Sequence, residues 1–165
     1  MSALVEQGSR PYVIFRLGAE EYGIGISRVS GIIRYEASTP VPKAPESVLG
    51  VINLRGRVIP IVDLCQRLGR GKLTHSAHAR IIVVDGDSGS VGLAVDEANE
   101  VVAIPIDSIG PTPDAAVSAH SAEMIEGVAD RGGRLVILLD LDKTVPRGSY
   151  ARPAKDADLE VDEDV

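Results

Sequence analysis

The sequence predicts an all-β chain folded as two small barrels. Three observations carry that prediction. About ten short runs rich in Val, Ile, Leu and Tyr are each bounded by Gly, Pro, Asn or Asp, which is the pattern of strands and turns. No stretch has the length and 3.6-residue period of an ordinary helix, so the alternating helices of a parallel α/β sheet are missing. The strands also fall into two groups of about five, divided by a basic, Gly-containing loop near residues 70–78, which favours two barrels over one sheet.

In chain order, residues 1–10 are small and polar and read as a flexible lead-in. Val13, Phe15 and Leu17 alternate with Tyr12, Ile14 and Arg16, predicting a strand. Gly18–Glu21 turns the chain, and Tyr22, Ile24 and Ile26 continue the alternation. Ser27 is placed to cap one helical turn before Ile32 and Ile33 return to extended backbone. Thr39–Pro45 holds three prolines in seven residues and reads as an extended loop. The densest apolar stretch follows, Val51–Leu64, VINLRGRVIPIVDL. It predicts two strands around a turn at Asn53–Gly56 that presents Arg55 and Arg57. Pro60 lacks a backbone donor, so its strand is predicted to be an edge or to carry a bulge.

Asp63 then caps a short helix that places Leu64 and Leu68 on one face and stops at Gly69. Arg80–Val84 and Val91–Val95 form a strand pair, and Glu97–Ile104 extends the sheet to Pro105. Residues 107–121 read as a long loop. Met124–Val128 pairs with Leu135–Leu139 across Asp130–Gly133, and Asp140–Thr144 makes a last helical turn. The end, residues 148–165, is acidic: Asp156, Asp158, Glu160, Asp162, Glu163 and Asp164 outnumber Arg152 and Lys155. It buries nothing and is predicted to be disordered.

Composition narrows the function. Phe15 is the only Phe, Trp is absent, and the net charge is −7. Stacking platforms and clustered cations for nucleic acid are therefore lacking. Cys65 stands alone, so no intramolecular disulfide forms, and it reads as a small buried apolar residue. The start, MSALVEQGSRPY, has no signal-peptide pattern, and no run reaches the roughly 18 apolar residues of a membrane helix. A cytoplasmic chain is expected.

Candidate chemistry is thin. Gly86-Asp87-Ser88-Gly89-Ser90 resembles the nucleophile turn of chymotrypsin-type proteases. A triad needs His and Asp from separate parts of the fold. His75 and His78 lie close to Ser88 in sequence, and His120 follows it, against that family's chain order. The segment reads as a hairpin turn. His75 and His78 have no third ligand nearby for a metal. Asp85, Asp87, Asp96 and Glu97 sit at strand ends, and no phosphate-binding glycine loop precedes a helix. No enzyme, metal site or cofactor is predicted. The basic residues Arg55, Arg57, Arg67, Arg70, Lys72 and Arg80, with Asp63 as the only acid among them, read either as a solvated face or as a docking patch for an acidic partner. Arg55, at a rigid turn, is the best-placed cation of the set. A small β-barrel nucleic-acid binder and a serine hydrolase are the rival readings.

Taken together, several segments resemble the CheW family of bacterial chemotaxis adaptors. They are Gly18-Ala19-Glu20-Glu21-Tyr22-Gly23-Ile24, then Val29 and Ile32. The most specific are Gly50-Val51-Ile52-Asn53-Leu54-Arg55-Gly56 and Pro60-Ile61-Val62-Asp63-Leu64. Ile81–Val84, Val91–Asp96 and Leu135–Leu139 fall where the family has strands. The resemblance spans residues 11–147. It implies two SH3-like five-stranded barrels split near residues 70–78, and a non-catalytic role. Such adaptors join the cytoplasmic tips of transmembrane chemoreceptors to the regulatory domain of a CheA-type histidine kinase, in flagellar, twitching or other chemosensory pathways. They meet the membrane only through the receptors. Receptor tips dock in an apolar groove between barrels, which places Val29, Ile32, Gly50, Asn53, Arg55 and Gly56 at or near the receptor-binding surface. The kinase contacts fall at barrel ends, where no residue is assigned. One departure stands out: Gly31 occupies a position that is often acidic in the family. The acidic tail has no counterpart there, and no fused receiver domain is expected.

Overall fold

The computed structural model describes residues 8–74, 76–86, 89–112 and 123–146. These residues form two sheets. The first contains β1 (Ser9–Leu17), β2 (Glu20–Gly25), β8 (Glu97–Pro105), β9 (Ile109–Gly110), β10 (Ile125–Arg131) and β11 (Arg134–Leu139). The second contains β3 (Val29–Arg34), β4 (Val48–Leu54), β5 (Arg57–Asp63), β6 (Arg80–Gly86) and β7 (Gly89–Val95). Their orders are β8-β1-β2-β11-β10-β9 and β3-β6-β7-β5-β4. Short 3-10 turns at Ile26–Arg28 and Ile106–Ser108, with helical turns α1 (Leu64–Arg67) and α2 (Leu141–Thr144), complete the fold. The all-β class and the short helical turns are as predicted. Each sheet is the five-stranded unit of an SH3-like lobe, the first with the two-residue β9 added.

The division near residues 70–78 is different from the one predicted. It separates two halves of the chain, but it does not separate the lobes. β1 and β2 of the first half join the first sheet, and β6 and β7 of the second half join the second. Each half lends its leading hairpin to the other half's sheet. The reason lies in the parallel seams: β2 runs parallel to β11, and β5 parallel to β7. A tight turn joins only antiparallel neighbours, so a parallel neighbour has to come from a distant part of the chain.

The halves also correspond in detail. Gly50, Val51, Gly56, Arg57, Asp63 and Leu64 recur in the same order as Gly127, Val128, Gly133, Arg134, Asp140 and Leu141. Register shifts fall at both Gly50 and Gly127. Asp63 and Asp140 cap α1 and α2 through the N–H groups of Gln66 and Lys143.

One core joins the lobes. Val13, Phe15, Tyr22, Ile24, Met124 and Leu139 of the first sheet's strands and loops pack in the same cluster as Ile59, Ile61, Leu64, Ile81 and Leu93. A smaller cluster, Tyr12, Ile14, Ile104, Ala129, Val136 and Leu138, packs within the first lobe. Phe15 and Tyr22 stack with ring centroids 5.8 Å apart. At the parallel seams, Gly92 faces Ile61 and Gly23 faces Leu138. A Cβ on Gly92 would lie 2.6 Å from Ile61 Cδ1 and 2.7 Å from Ile81 Cγ2.

Other expectations are corrected. Pro60 lies on an interior strand, since β5 has β4 on one side and β7 on the other. Its missing donor goes unnoticed because Val51, its partner across β4, sends both its N–H and its C=O outward to Thr39, each bond 2.9 Å. Toward β7, pairing begins only at Ile61. Ser27 caps nothing: Gly25 holds the N-cap position of the 3-10 turn without a side-chain bond. Ser9 and Arg10 belong to β1, which pairs there with β8, so the lead-in is shorter than predicted. The acidic tail, residues 148–165, lies outside the described residues.

Two substitutions test this packing. Gly92→Ala is expected to destabilise by about 1–3 kcal/mol through overpacking, read as a lowered urea midpoint at unchanged slope. Asp63 is buried and accepts from Gln66 N–H at 3.2 Å and Leu73 N–H at 3.0 Å. Asp63→Ala strands both donors and is expected to cost about 1–3 kcal/mol, measured in the same denaturant titration.

Candidate docking surface

The β4–β5 hairpin closes in the tightest way available. Arg55 and Gly56 are its two turn residues, with φ of 54° and 83°. Positive φ at both positions is the type I′ geometry whose twist matches the flanking strands. Asn53 locks the turn by accepting the Gly56 N–H at Oδ1, 2.9 Å. Asn53 and Leu54 therefore stay in the strand, and the turn is shorter than the Asn53–Gly56 interruption predicted. An arginine in left-handed backbone costs about 1 kcal/mol or more, and such strain concentrates at ligand clamps. Arg55 is exposed and makes no hydrogen bond or ion pair among the described residues.

Its neighbour Arg57 is engaged. Arg57 Nη2 donates to Ser90 Oγ at 3.3 Å, and Ser90 Oγ donates to Asp85 Oδ1 at 3.3 Å, tying the hairpin base to β7 and β6. The rest of the basic set is spread out rather than pooled. Arg67 donates to two carbonyls at the end of α2. Arg70 pairs with Glu20 at 2.5 Å, and Arg80 donates to the Ala77 and Ala79 carbonyls. Four of the six basic residues are thus engaged within the molecule, and Arg55 is exposed at the hairpin tip.

The other predicted docking residues divide into three kinds. Gly50 is buried, with φ of 152° and a Cβ position 2.3 Å from the Thr39 carbonyl oxygen. It supports the hairpin by letting the Pro-rich segment pair against β4. Asn53 and Gly56 form the exposed turn with Arg55. Val29 and Ile32 lie on β3, at the opposite edge of the same sheet. Val29 packs against the shared core, while Ile32 is 44% exposed. Gly31 sits at a register shift in β3, and a Cβ there would meet nothing within 4 Å. The hairpin residues are thus gathered in one place, and the β3 residues form a second, apolar edge.

The β10–β11 pair is as predicted, but sequence reasoning missed that it is the counterpart of the β4–β5 hairpin. Gly132 and Gly133 repeat the left-handed turn, with φ of 60° and 90°, and Asp130 Oδ1 accepts the Gly133 N–H at 2.9 Å. Beside it Leu135 is 63% exposed. It borders an apolar groove of about 780 Å³ lined by Pro111, Ile125, Val128 and Ile137 and rimmed by Arg16 and Arg134. The signal was present in the sequence, where DRGGRLVILLDL repeats the design of NLRGRVIPIVDL.

No reactive centre emerges from the described residues. Burial pushes the Cys65 thiol up to about 12, with Asp96 and Asp63 adding to the shift. Its thiolate is therefore unavailable near neutral pH. Burial and the acceptor Glu20 raise the Tyr22 hydroxyl as well. Among the described residues, no three His, Cys, Asp or Glu side chains are grouped to hold a metal. His75, Asp87, Ser88 and His120 lie outside the described residues. Asp96 accepts the Gly18 N–H at 2.6 Å, a structural use.

Comparison with known proteins agrees with this architecture. The model of the CheW-like domain matches residues 11–148. The chain is 40% identical over 139 residues to the chemotaxis protein CheW of Rhizobium meliloti, covering 84% of this chain and 89% of that protein. It is 33% identical over 138 residues to the chemotaxis protein CheW of Klebsiella aerogenes, covering 84% and 82%. The solved structure of the scaffolding protein TtCheW from Thermoanaerobacter tengcongensis superposes with a TM-score of 0.74 at 35% identity, covering 82% of this chain and 92% of that one. By sequence and by fold, the chain belongs to the CheW family.

Proposed function

We propose that this chemotaxis-family protein is a non-catalytic adaptor that joins the cytoplasmic tips of chemoreceptors to a CheA-type histidine kinase. The observation that carries the proposal is Arg55: an exposed, unpartnered cation held in strained backbone at a rigid turn. Preorganised arginine loses little freedom when it pairs with a carboxylate. On the same hairpin Val58 supplies exposed apolar surface, and Ile32 supplies more on β3, at the sheet's other edge. An amphipathic helix seats in such a surface through apolar anchors and a few orienting polar groups. Val29, Ile32, Asn53, Arg55 and Gly56 form the receptor-facing set, with Gly50 as its internal support.

An adaptor needs two surfaces that are occupied together. The counterpart hairpin on the other lobe, with Leu135 and its groove, is the second, and it is assigned here to the kinase regulatory domain. Among the described residues no helix is long and apolar enough to cross a membrane. Association with the inner face of the membrane then runs through the receptors.

Arg55→Glu is expected to weaken binding to a receptor-tip fragment by tenfold or more, about 1.4 kcal/mol, with an unchanged circular dichroism spectrum. Undiminished binding by the folded variant would remove Arg55 from the surface. Gly31→Glu fills open space on β3 and should leave the denaturation midpoint within about 0.5 kcal/mol of the parent. It adds an acid to the receptor-facing edge, so receptor affinity should become more dependent on salt. A salt titration that superimposes on the parent's would exclude β3 from the interface.

A further inference from the structure

Among the side-chain contacts that cross between the halves, one joins residues at corresponding positions of the two. α1 and α2 are counterparts, each capped by the aspartate that ends its hairpin. Arg67 is the last residue of α1 and Thr144 the last of α2. Arg67 Nε donates to the Thr144 carbonyl at 2.7 Å, and Nη2 donates to the Lys143 carbonyl at 3.1 Å. A contact between two counterparts lies close to the approximate twofold axis that relates the halves.

Its surroundings make the contact a fixed point. Thr144 is fully buried, and Leu141 and Val145 pack against the core shared by both lobes. Arg28, on the crossover from β2 to β3, pairs with Asp142 of the same helical turn. That pair is well exposed and therefore weak and screened by salt. The shared core holds the lobes together, but burial of aliphatic side chains has no preferred direction. A guanidinium fork bonded to two successive carbonyls fixes direction as well as distance. The lobes are also linked by the exposed Arg70–Glu20 pair and by Asp96 at the β7–β8 junction, but this fork is the link that joins the two helical turns directly.

We propose that Arg67 is a positioning residue that sets the angle between the lobes, and that adaptor coupling depends on that angle. The proposal rests on the adaptor reading above, with one partner on each lobe. A change registered at the β4–β5 hairpin reaches the other lobe only if the two lobes keep one relative orientation. Arg67 touches neither docking surface: it lies beyond the end of β5 opposite to the Arg55 turn.

The test uses the full-length chain, a receptor-tip fragment and a CheA-type kinase with its regulatory domain. Arg67→Ala should bind each partner alone within about twofold of the parent, while the receptor-dependent change in kinase activity falls at least fivefold. Arg67→Lys offers one ammonium to one carbonyl and should fall between the two. Thr144→Val removes a hydroxyl whose Oγ1 has no partner and leaves the carbonyl, so it should couple like the parent. Spin labels on Val58→Cys and Leu135→Cys, one on each lobe, should give a broader distance distribution in Arg67→Ala. Coupling at the parent level, or an unbroadened distribution, would overturn the proposal. So would a loss of both binary affinities in step with lost stability, which marks a merely structural arginine. If the parent itself binds neither partner, the adaptor reading is what fails, and the label distances alone decide the role of Arg67.

Discussion

The structure depends on two parallel seams, β2 beside β11 and β5 beside β7. Each seam needs a neighbour that no tight turn can deliver, and the chain meets that need by trading hairpins between its halves. The seams also dictate residues. Gly92 and Gly23 stand where isoleucine and leucine side chains from the facing strands close over the backbone. Because each lobe is built from both halves, the core is continuous across them, and neither lobe is an independent domain in the ordinary sense.

On this frame the β4–β5 hairpin is a local device. Its strands are ordinary, and its turn is not. Gly56 and Asn53 make a reversal so tight that Arg55 must adopt left-handed backbone, and Gly50 lets the Thr39 segment brace β4 from outside. The result is a cation whose main chain is immobilised and whose side chain is unclaimed. Arg57, Arg67, Arg70 and Arg80 of the basic set are engaged within the molecule instead. The strain at Arg55 and the openness at Gly31 are independent features of the same sheet's two edges.

Much of this was legible in the sequence. Alternation located the strands to within a few residues, and Asp63 and Asp140 announced the helical turns that they cap. What alternation does not carry is partnership. It says that Val13, Phe15 and Leu17 share a face, but not that β1 lies beside β8. A division into two groups of strands was therefore visible, while the exchange of hairpins across it was not. Pro60 shows the same limit: its missing donor matters only relative to the direction in which Val51 spends its hydrogen bonds. The turn that presents Arg55 was legible because turn chemistry is local. The second hairpin was predicted, but its likeness to the first was overlooked because a repeat has to be compared with itself before it is seen.

The exchange of hairpins has a consequence for synthesis on the ribosome. The second sheet is complete once β7 has emerged, at Val95, but the first waits for β11, ending at Leu139. β1 and β2 stand as an isolated hairpin, marginal in water, until β8 pairs with β1 at Pro105, and β2 still waits for its parallel neighbour. The parallel seam between β2 and β11 is thus among the last pairings of the first sheet to become available. Long-range pairing of this kind slows folding and lengthens the exposure of unpaired edges. Truncated products that end before β11 lack a completed first lobe.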